Sequence, residues 1–343
     1  MISGLIQKDD IKSKMWSDKL AEYGVNLIPL KGSPIKWAYY FILFKSKINI
    51  DFIVFRYLND YPSIFKTLLR LFSEVLTVIM AKLSNTKIYW ICHNVDKETD
   101  DNHPKISKIR RSLLSKYSET IYVLDYLLVE EAEEEFGHDR IKNISFGMNT
   151  NQIVDRDVMK EINSFLQKGD ANTIFGLTVG TINYKTVHFA EIPKLLKESA
   201  SLGIDIRIIV CGPIGRYLKM NDLPLLDFLI SSEKILFIDK YVTIDESKLE
   251  RVSFVFKSNI DKSVPQSYYT SAEAKKPILS IGGTFSAKMV KYYNIGCVLN
   301  PDYSNLQNVL MDLRTSEFDF DQFLQSHSWQ FAAKVMSKDV LGT

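Results

Sequence analysis

What most restricts the folds open to this chain is a repeated alternation of short strand-type runs with helix-type stretches. In the first 150 residues the strand runs are Val25 to Leu30, Ile48 to Phe55, Lys87 to Cys92, Thr120 to Leu124 and Ile141 to Ser145. Helical stretches separate them, around Ser13 to Glu22, from Ser63, through Arg110 to Lys116, and at Glu130 to Glu135. The helix from Ser63 sets Ile64, Leu68, Phe72, Val75, Ile79 and Leu83 on one apolar stripe. The second half repeats the pattern with runs at Thr173 to Gly180, Asp205 to Cys211, Lys234 to Ile238, Val252 to Phe256, Pro277 to Ile281 and Cys297 to Leu299. Strand-helix-strand repetition builds a parallel sheet covered on both faces, so an α/β chain of two doubly wound domains is expected. The sequence turns polar between Asn149 and Asn172. That places one domain at 1–150, a linker at 151–171 and a second domain from 172.

Composition narrows the function. The 343 residues suit two domains of roughly 150–170 residues. With 46% hydrophobic and 24% charged residues the chain is globular rather than disordered. A net charge of +2 gives no case for nucleic acid as a partner. The three cysteines, Cys92, Cys211 and Cys297, follow no disulfide or zinc spacing and read as reduced, buried thiols. No signal peptide is evident, and the most apolar stretch, Ser63 to Leu83, carries Lys66, Arg70, Glu74 and Lys82. A cytoplasmic chain is expected.

Ligands of doubly wound sheets bind beyond the carboxyl ends of the strands. His93 and Asn94 follow one strand, and Arg56 and Asp60 another. His93 either acts as a base or hydrogen-bonds a sugar or phosphate, or it simply caps a strand end. Asp96 lies in the polar loop beyond, whose acids match no cation-binding spacing. In the second half, Gly180 to Lys185, Ser263 to Ser267 and Gly282-Gly283-Thr284 each pair a strand end or helix start with room for a phosphate. Each is also compatible with a plain strand-to-helix turn. Neither GxGxxG nor GxxxxGK[ST] is present, so hydride transfer and ATP hydrolysis lose support and no resident cofactor is expected. Lys36 to Lys47 interleaves lysines with aromatics, including Trp37 and Lys45. That pattern suits either an anionic membrane interface or a buried helix with snorkelling lysines.

Several segments, in order, resemble the GT-B-type glycosyltransferases, in particular bacterial enzymes of capsule, O-antigen and exopolysaccharide assembly. They are Tyr89 to Val95, Gly180 to Lys185, Tyr241-Val242, Ala274 to Thr284, Tyr292 to Asp302, and Ser328-Trp329. The resemblance implies two Rossmann-like domains facing a cleft, with 172–318 binding a nucleotide-sugar. It also implies a final helix in 319–343 that crosses back to the first domain, which binds the acceptor. Donor contacts would come from Gly180, Lys185, Gly212, Tyr241, Ser263, Gln266, Ser267, Gly282, Gly283 and Thr284. His93, Asp60 and Asp96 would be the candidate bases. Arg56, Asn94, Lys36, Trp37 and Lys45 would serve a lipid-linked or oligosaccharide acceptor and the inner membrane face. No metal site is implied. The Glu-x7-Glu pair of many retaining members is replaced by Lys262 and Thr270, which favours inversion. Met1 to Gln7 departs from the family's first strand and glycine-rich loop, as in a divergent or truncated start. A sugar-nucleotide epimerase, a non-catalytic partner subunit and a Rossmann oxidoreductase are the competing readings.

Overall fold

The computed structural model describes residues 2–96, 102–147, 154–183, 186–215 and 222–343. It divides into unit 1, Met1–Asn149 with Ser326–Thr343, and unit 2, Thr150–Gln325.

Unit 1 runs β1 (Ile2–Ile6), α1 (Ile11–Ala21), β2 (Val25–Pro29), α2 (Trp37–Lys45), β3 (Phe52–Phe55), α3 (Ile64–Leu83), β4 (Lys87–Ile91), α4 (Pro104–Tyr117), β5 (Thr120–Val123), α5 (Leu128–Phe136) and β6 (Ile141–Asn143). The six strands are parallel in the order β2-β1-β3-β4-β5-β6. The chain therefore reverses its direction of travel across the sheet between β1 and β3. The start that departs from the family pattern is a strand inside this sheet. Gly4 permits it, because a Cβ there would lie 2.3 Å from the Phe52 ring on the paired strand.

Unit 2 runs α6 (Arg156–Gln167), β7 (Ile174–Val179), α7 (His188–Ser201), β8 (Ile206–Cys211), α8 (Leu223–Ser231), β9 (Ile235–Ile238), β10 (Val252–Phe256), α9 (Gln266–Glu273), β11 (Ile278–Ile281), α10 (Phe285–Tyr293), β12 (Gly296–Leu299), α11 (Leu306–Thr315) and α12 (Phe320–Ser326). Its sheet order is β12-β11-β10-β7-β8-β9, again parallel, with the reversal between β7 and β10. Apolar residues cover both faces. Phe189, Ile192 and Leu195 of α7 share one core with Ile208, Val210 and Phe254. Val158, Ile162 and Phe165 of α6 share the other with Phe175, Leu177 and Ile209. The polar stretch read as a linker thus carries a helix of unit 2, whose Asp155 caps it by accepting from the Val158 amide at 3.1 Å.

Residues 319–343 form two helices rather than one. In α12, Phe323 meets Tyr269 and Tyr293 of unit 2 at ring distances of 5.6 and 5.3 Å. The last helix, α13 (Trp329–Leu341), completes unit 1. Trp329 packs edge-on to Trp16 and stacks on Phe146, and Asp339 accepts from the Tyr122 hydroxyl at 2.8 Å.

The spacing of the α3 stripe is as read from the sequence, but the stripe faces outward. Ile64, Leu68, Phe72, Ile79 and Leu83 are exposed, whereas Thr67, Arg70, Ser73, Glu74 and Thr77 are buried. A helix in a globular unit ordinarily buries its apolar stripe. Here the polar face has partners that hold it inside. Glu74 is bonded by Arg70 Nε at 3.0 Å and by Arg110 Nε and a terminal nitrogen at 2.7 and 2.8 Å. Arg110 also donates to the Asp60 carboxylate and the Leu58 carbonyl, and Arg70 to the Asn59 and Tyr57 carbonyls. Burial alone would push the Glu74 carboxyl up, but the two guanidiniums hold it below its usual value.

Glu74→Gln leaves Arg70 and Arg110 buried and short of a counter-charge, and should cost about 3–5 kcal/mol in urea unfolding at pH 7. Because the folded carboxyl titrates below its unfolded value, that contribution is present above the unfolded pKa near 4.5 and fades as pH falls below it. The gap between the two proteins should therefore narrow toward pH 3, and a gap independent of pH would contradict the ion-pair account.

Candidate functional site

Both chain reversals place polar residues at the carboxyl ends of neighbouring strands, where open parallel sheets hold ligands. In unit 1, Gln7 and Lys8 follow β1, Arg56 and Tyr57 follow β3, and His93 and Asn94 follow β4. Gln7, Lys8, Tyr57, Asn59, Arg70, His93 and Asn94 are among the residues lining a cavity of about 550 Å³. His93 stacks flat on Tyr57, with ring centres 4.0 Å apart, and its buried Nε2 has no hydrogen-bond partner. Burial, followed by the charges of Arg56, Lys12 and Lys8, holds this histidine well below its ordinary pKa. It is therefore a neutral imidazole at physiological pH, able to accept a proton or a hydrogen bond. Lys12 is itself brought down to about 8, by burial first and Arg56 next.

The other unit 1 candidates divide. Asn94 lines the cavity, and its carbonyl accepts from Arg111 at 3.0 Å. Arg56 is fully buried, pairs with Asp10 at 2.9 Å and donates to the Tyr57 hydroxyl at 3.1 Å. It shapes the site electrostatically and cannot meet a membrane. Asp60 is an anchor rather than a free base. Its carboxylate accepts from Arg110, from Ser107 Oγ at 2.8 Å and from the His103 amide at 3.0 Å. Asp96 is exposed. Trp37 is buried and stacked on Phe55 at 4.8 Å, and Lys45 donates to the Ile50 carbonyl at 2.6 Å and to Thr86 at 3.2 Å. Trp37 is thus a core residue, because the spacing in Lys36 to Lys47 turns it inward, while Lys45 is half-buried and tied to the loop before β3. Lys36 is exposed.

In unit 2 the strand ends gather most of the expected donor residues, while Lys185 lies outside the described residues. Gly180 follows β7 at φ +125°, and a Cβ there would sit 3.2 Å from the Lys257 ammonium. Lys257, just past β10, was not singled out from sequence. Its only signal is a lysine closing the apolar run Val252 to Phe256. It is buried and donates to the Val179 carbonyl at 3.2 Å, so a cation stands at the β7–β10 reversal. Burial brings it down to about 8, against a smaller upward pull from Asp261. Gly212 serves packing, since a Cβ there would lie 1.9 Å from the Gly180 carbonyl oxygen. Tyr241 is exposed, with its hydroxyl 3.1 Å from Thr181 Oγ1.

The remaining groups come from two helix starts. Helix α9 begins at Gln266 after Pro265 with no side-chain cap, and the buried Gln266 Nε2 and Ser267 Oγ have no hydrogen-bond partner. Ser263 Oγ donates to Asp261 at 3.0 Å. Before α10, Thr284 caps the helix by accepting from Ala287 N at 3.2 Å, and its hydroxyl reaches Ser258 Oγ at 3.1 Å. That contact joins this turn to the loop after Lys257. The Gly282 amide is spent on the Leu299 carbonyl at 2.8 Å, whereas Gly283, at φ +81°, faces open space. A buried cation, a glycine turn and buried amide and hydroxyl groups without partners are what an anionic, hydroxyl-rich ligand needs.

No family model matches the sequence, and no curated protein sequence matches it. Solved structures do match over the whole chain. A glycosyltransferase from Rickettsia africae aligns at a TM-score of 0.65 and 12% identity, covering 99% of this chain and 98% of that one. Sucrose-phosphate synthase from Thermosynechococcus elongatus aligns at 0.68 and 11%, covering 100% and 98%. UDP-GlcNAc 2-epimerase from Methanocaldococcus jannaschii, in complex with UDP-GlcNAc and UDP, aligns at 0.54 and 13%, covering 100% and 99%. At these identities the likeness carries the fold, two Rossmann-like domains of the GT-B class.

Folding confines Lys257 as an ammonium that water would hold more cheaply. A fall from 10.5 to about 8 corresponds to roughly 3 kcal/mol against folding below pH 8. Lys257→Met should therefore stabilise the free protein by about that amount at pH 7 in urea unfolding. The gain should shrink as pH rises from 8 and vanish above 10.5, where neither state holds the proton. A variant less stable at pH 7 would show the ammonium to be structural.

Proposed function

We propose that this chain transfers a sugar from a nucleotide-sugar to a hydroxyl acceptor, with unit 2 holding the donor and unit 1 the acceptor. The observation that carries the reading is the buried Lys257 ammonium at the β7–β10 reversal, above Gly180 and followed by a helix start with Gln266 and Ser267 unpartnered. A nucleoside diphosphate is the leaving group whose charge such a cation stabilises as it departs. Lys257 supplies that charge, and the α9 start and Gly283 supply donors to phosphate or sugar. Lys185 adds a second charge in this reading. His93 takes the acceptor proton as the new bond to the anomeric carbon forms and the bond to the diphosphate breaks. The absence of a Glu pair on α9 favours inversion. We extend the reading to a lipid-linked glycan acceptor in bacterial surface polysaccharide synthesis, with a cytoplasmic chain at the inner membrane face and no resident metal or cofactor.

A second reading, a sugar-nucleotide epimerase, is favoured by the matched epimerase structure. It needs a carboxylate at the donor, for which Asp261 beyond β10 is the candidate, and it turns over donor with no acceptor.

Thermal melts with UDP-, GDP-, dTDP- and CMP-sugars should show a rise with one nucleotide class, about 2.7 kcal/mol of added stability at a hundredfold excess over Kd. Lys257→Met and Lys185→Ala should lose it. With that donor, His93→Asn should keep the thermal shift and slow transfer by about 10²–10⁴-fold. No shift with any nucleotide would remove the donor reading. An epimerised donor formed without acceptor would replace transfer by epimerisation.

A further inference from the structure

The proposed chemistry leaves the outward stripe of α3 unused. The helix has 20 residues, so it runs about 30 Å along the surface. Phe65 and Phe72 are each 66% exposed and Leu83 is 84% exposed, with Ile64, Leu68 and Ile79 between them. Helix α2 lies alongside, its Ala38 amide donating to Ser73 Oγ of α3 at 3.2 Å, and adds exposed Tyr39 and Ile42. Helix α4 lies against α3 through the Arg110–Glu74 pair and adds exposed Ile109. A contiguous apolar face of this extent on a folded protein marks a contact surface.

The charge around it identifies the contact. Lys36 and Lys47 flank α2, Lys66 and Lys82 lie on α3, and Lys105, Lys108 and Lys116 lie on α4, all exposed. None of the three helices carries an exposed acid, since their single carboxylate, Glu74, is buried. An exposed acid outside the helices, Glu119, sits 3.6 Å from Lys82. The whole chain has 43 basic and 41 acidic residues, so this excess is local.

We propose that the α2–α3–α4 face docks on an anionic lipid bilayer, with α3 lying in the plane of the headgroups, its phenylalanines and leucines down and the lysines at the phosphate level. A second copy of the chain would set one lysine-rich rim against another in a self-complementary contact. Insertion across the bilayer is barred, because Arg70 and Glu74 tie α3 into unit 1 and no described helix is long and apolar enough to span. The docking rests on this surface alone. Its bearing on a lipid-linked acceptor rests on the function proposed above.

The test floats the full chain on vesicles of phosphatidylcholine, with and without roughly one-third phosphatidylglycerol. Binding is expected on the anionic vesicles, weakened by salt and absent on neutral ones. Phe65→Glu with Phe72→Glu, and separately Lys105→Glu with Lys108→Glu, should each reduce it at least tenfold. Because these side chains are exposed, melting temperature and nucleotide-dependent stabilisation should not move. Failure of the folded protein to float, or undiminished flotation of the phenylalanine variant, would overturn the docking. So would a dimer in light scattering that Phe72→Glu dissociates. Nucleotide stabilisation without flotation removes the docking and keeps the transfer reading, whereas the reverse result keeps the docking and removes the transfer.

Discussion

Unit 1 is organised around a carboxylate that water never reaches. Glu74 sits between two guanidiniums, and those guanidiniums reach on to the carbonyls of Tyr57, Leu58 and Asn59 and to Asp60. The network fixes the segment that follows β3, which is one wall of the His93 cavity. It also fixes which side of α3 faces in. Buried ion pairs of this kind add little net stability, but breaking one is costly, so they select among packings more than they strengthen any one. The apolar stripe is turned to solvent in the orientation that pairs Arg70 and Glu74 inside.

Unit 2 uses a different device. Its sheet is packed on both faces with aliphatic and aromatic side chains, and the cation at its reversal is confined at a cost that this core offsets. Proteins keep such a group where function requires it, and the cost is typical of sites in which a charge waits for an opposite one. Gly180 and Gly212 show the tolerance involved. The backbone after β7 passes so close to that after β8 that no side chain fits between them, and the same closeness leaves the space that Lys257 fills.

The α/β class and the order of strands were legible because strand and helix periods are local properties. Eleven of the twelve strands among the described residues coincide with apolar runs read directly from the residues, and β1 was obscured by the serine and glycine at its centre. The polar composition of 151–171 reads as a linker, whereas the membership of its helix, 156–167, in unit 2 depends on contacts with β7 and β8 that no local pattern encodes. The candidate sites were legible as positions, since strand ends follow from strand assignments. Their roles were less so. Asp60 and Arg56 look like free polar residues in the sequence and are bound in tertiary contacts, and Trp37 lies on the inner side of its helix. Lys257 was missed because one lysine after a strand becomes notable only when the fold buries it. The reversal of α3 was beyond reach for a related reason: a stripe at helical spacing states that a helix has two unlike faces and leaves open which one the fold needs inside.

The return of the chain through α13 has a consequence for synthesis. Trp16, Phe146, Tyr89 and Tyr122 of unit 1 meet Trp329 and Asp339, which are made after the residues of unit 2. Unit 1 is thus finished only after unit 2 has been made, with an apolar seam uncovered while unit 2 is translated. The nascent chain must either shield that seam through some 180 residues of elongation, from Phe146 to Trp329, or delay the consolidation of unit 1 until its closing helix arrives.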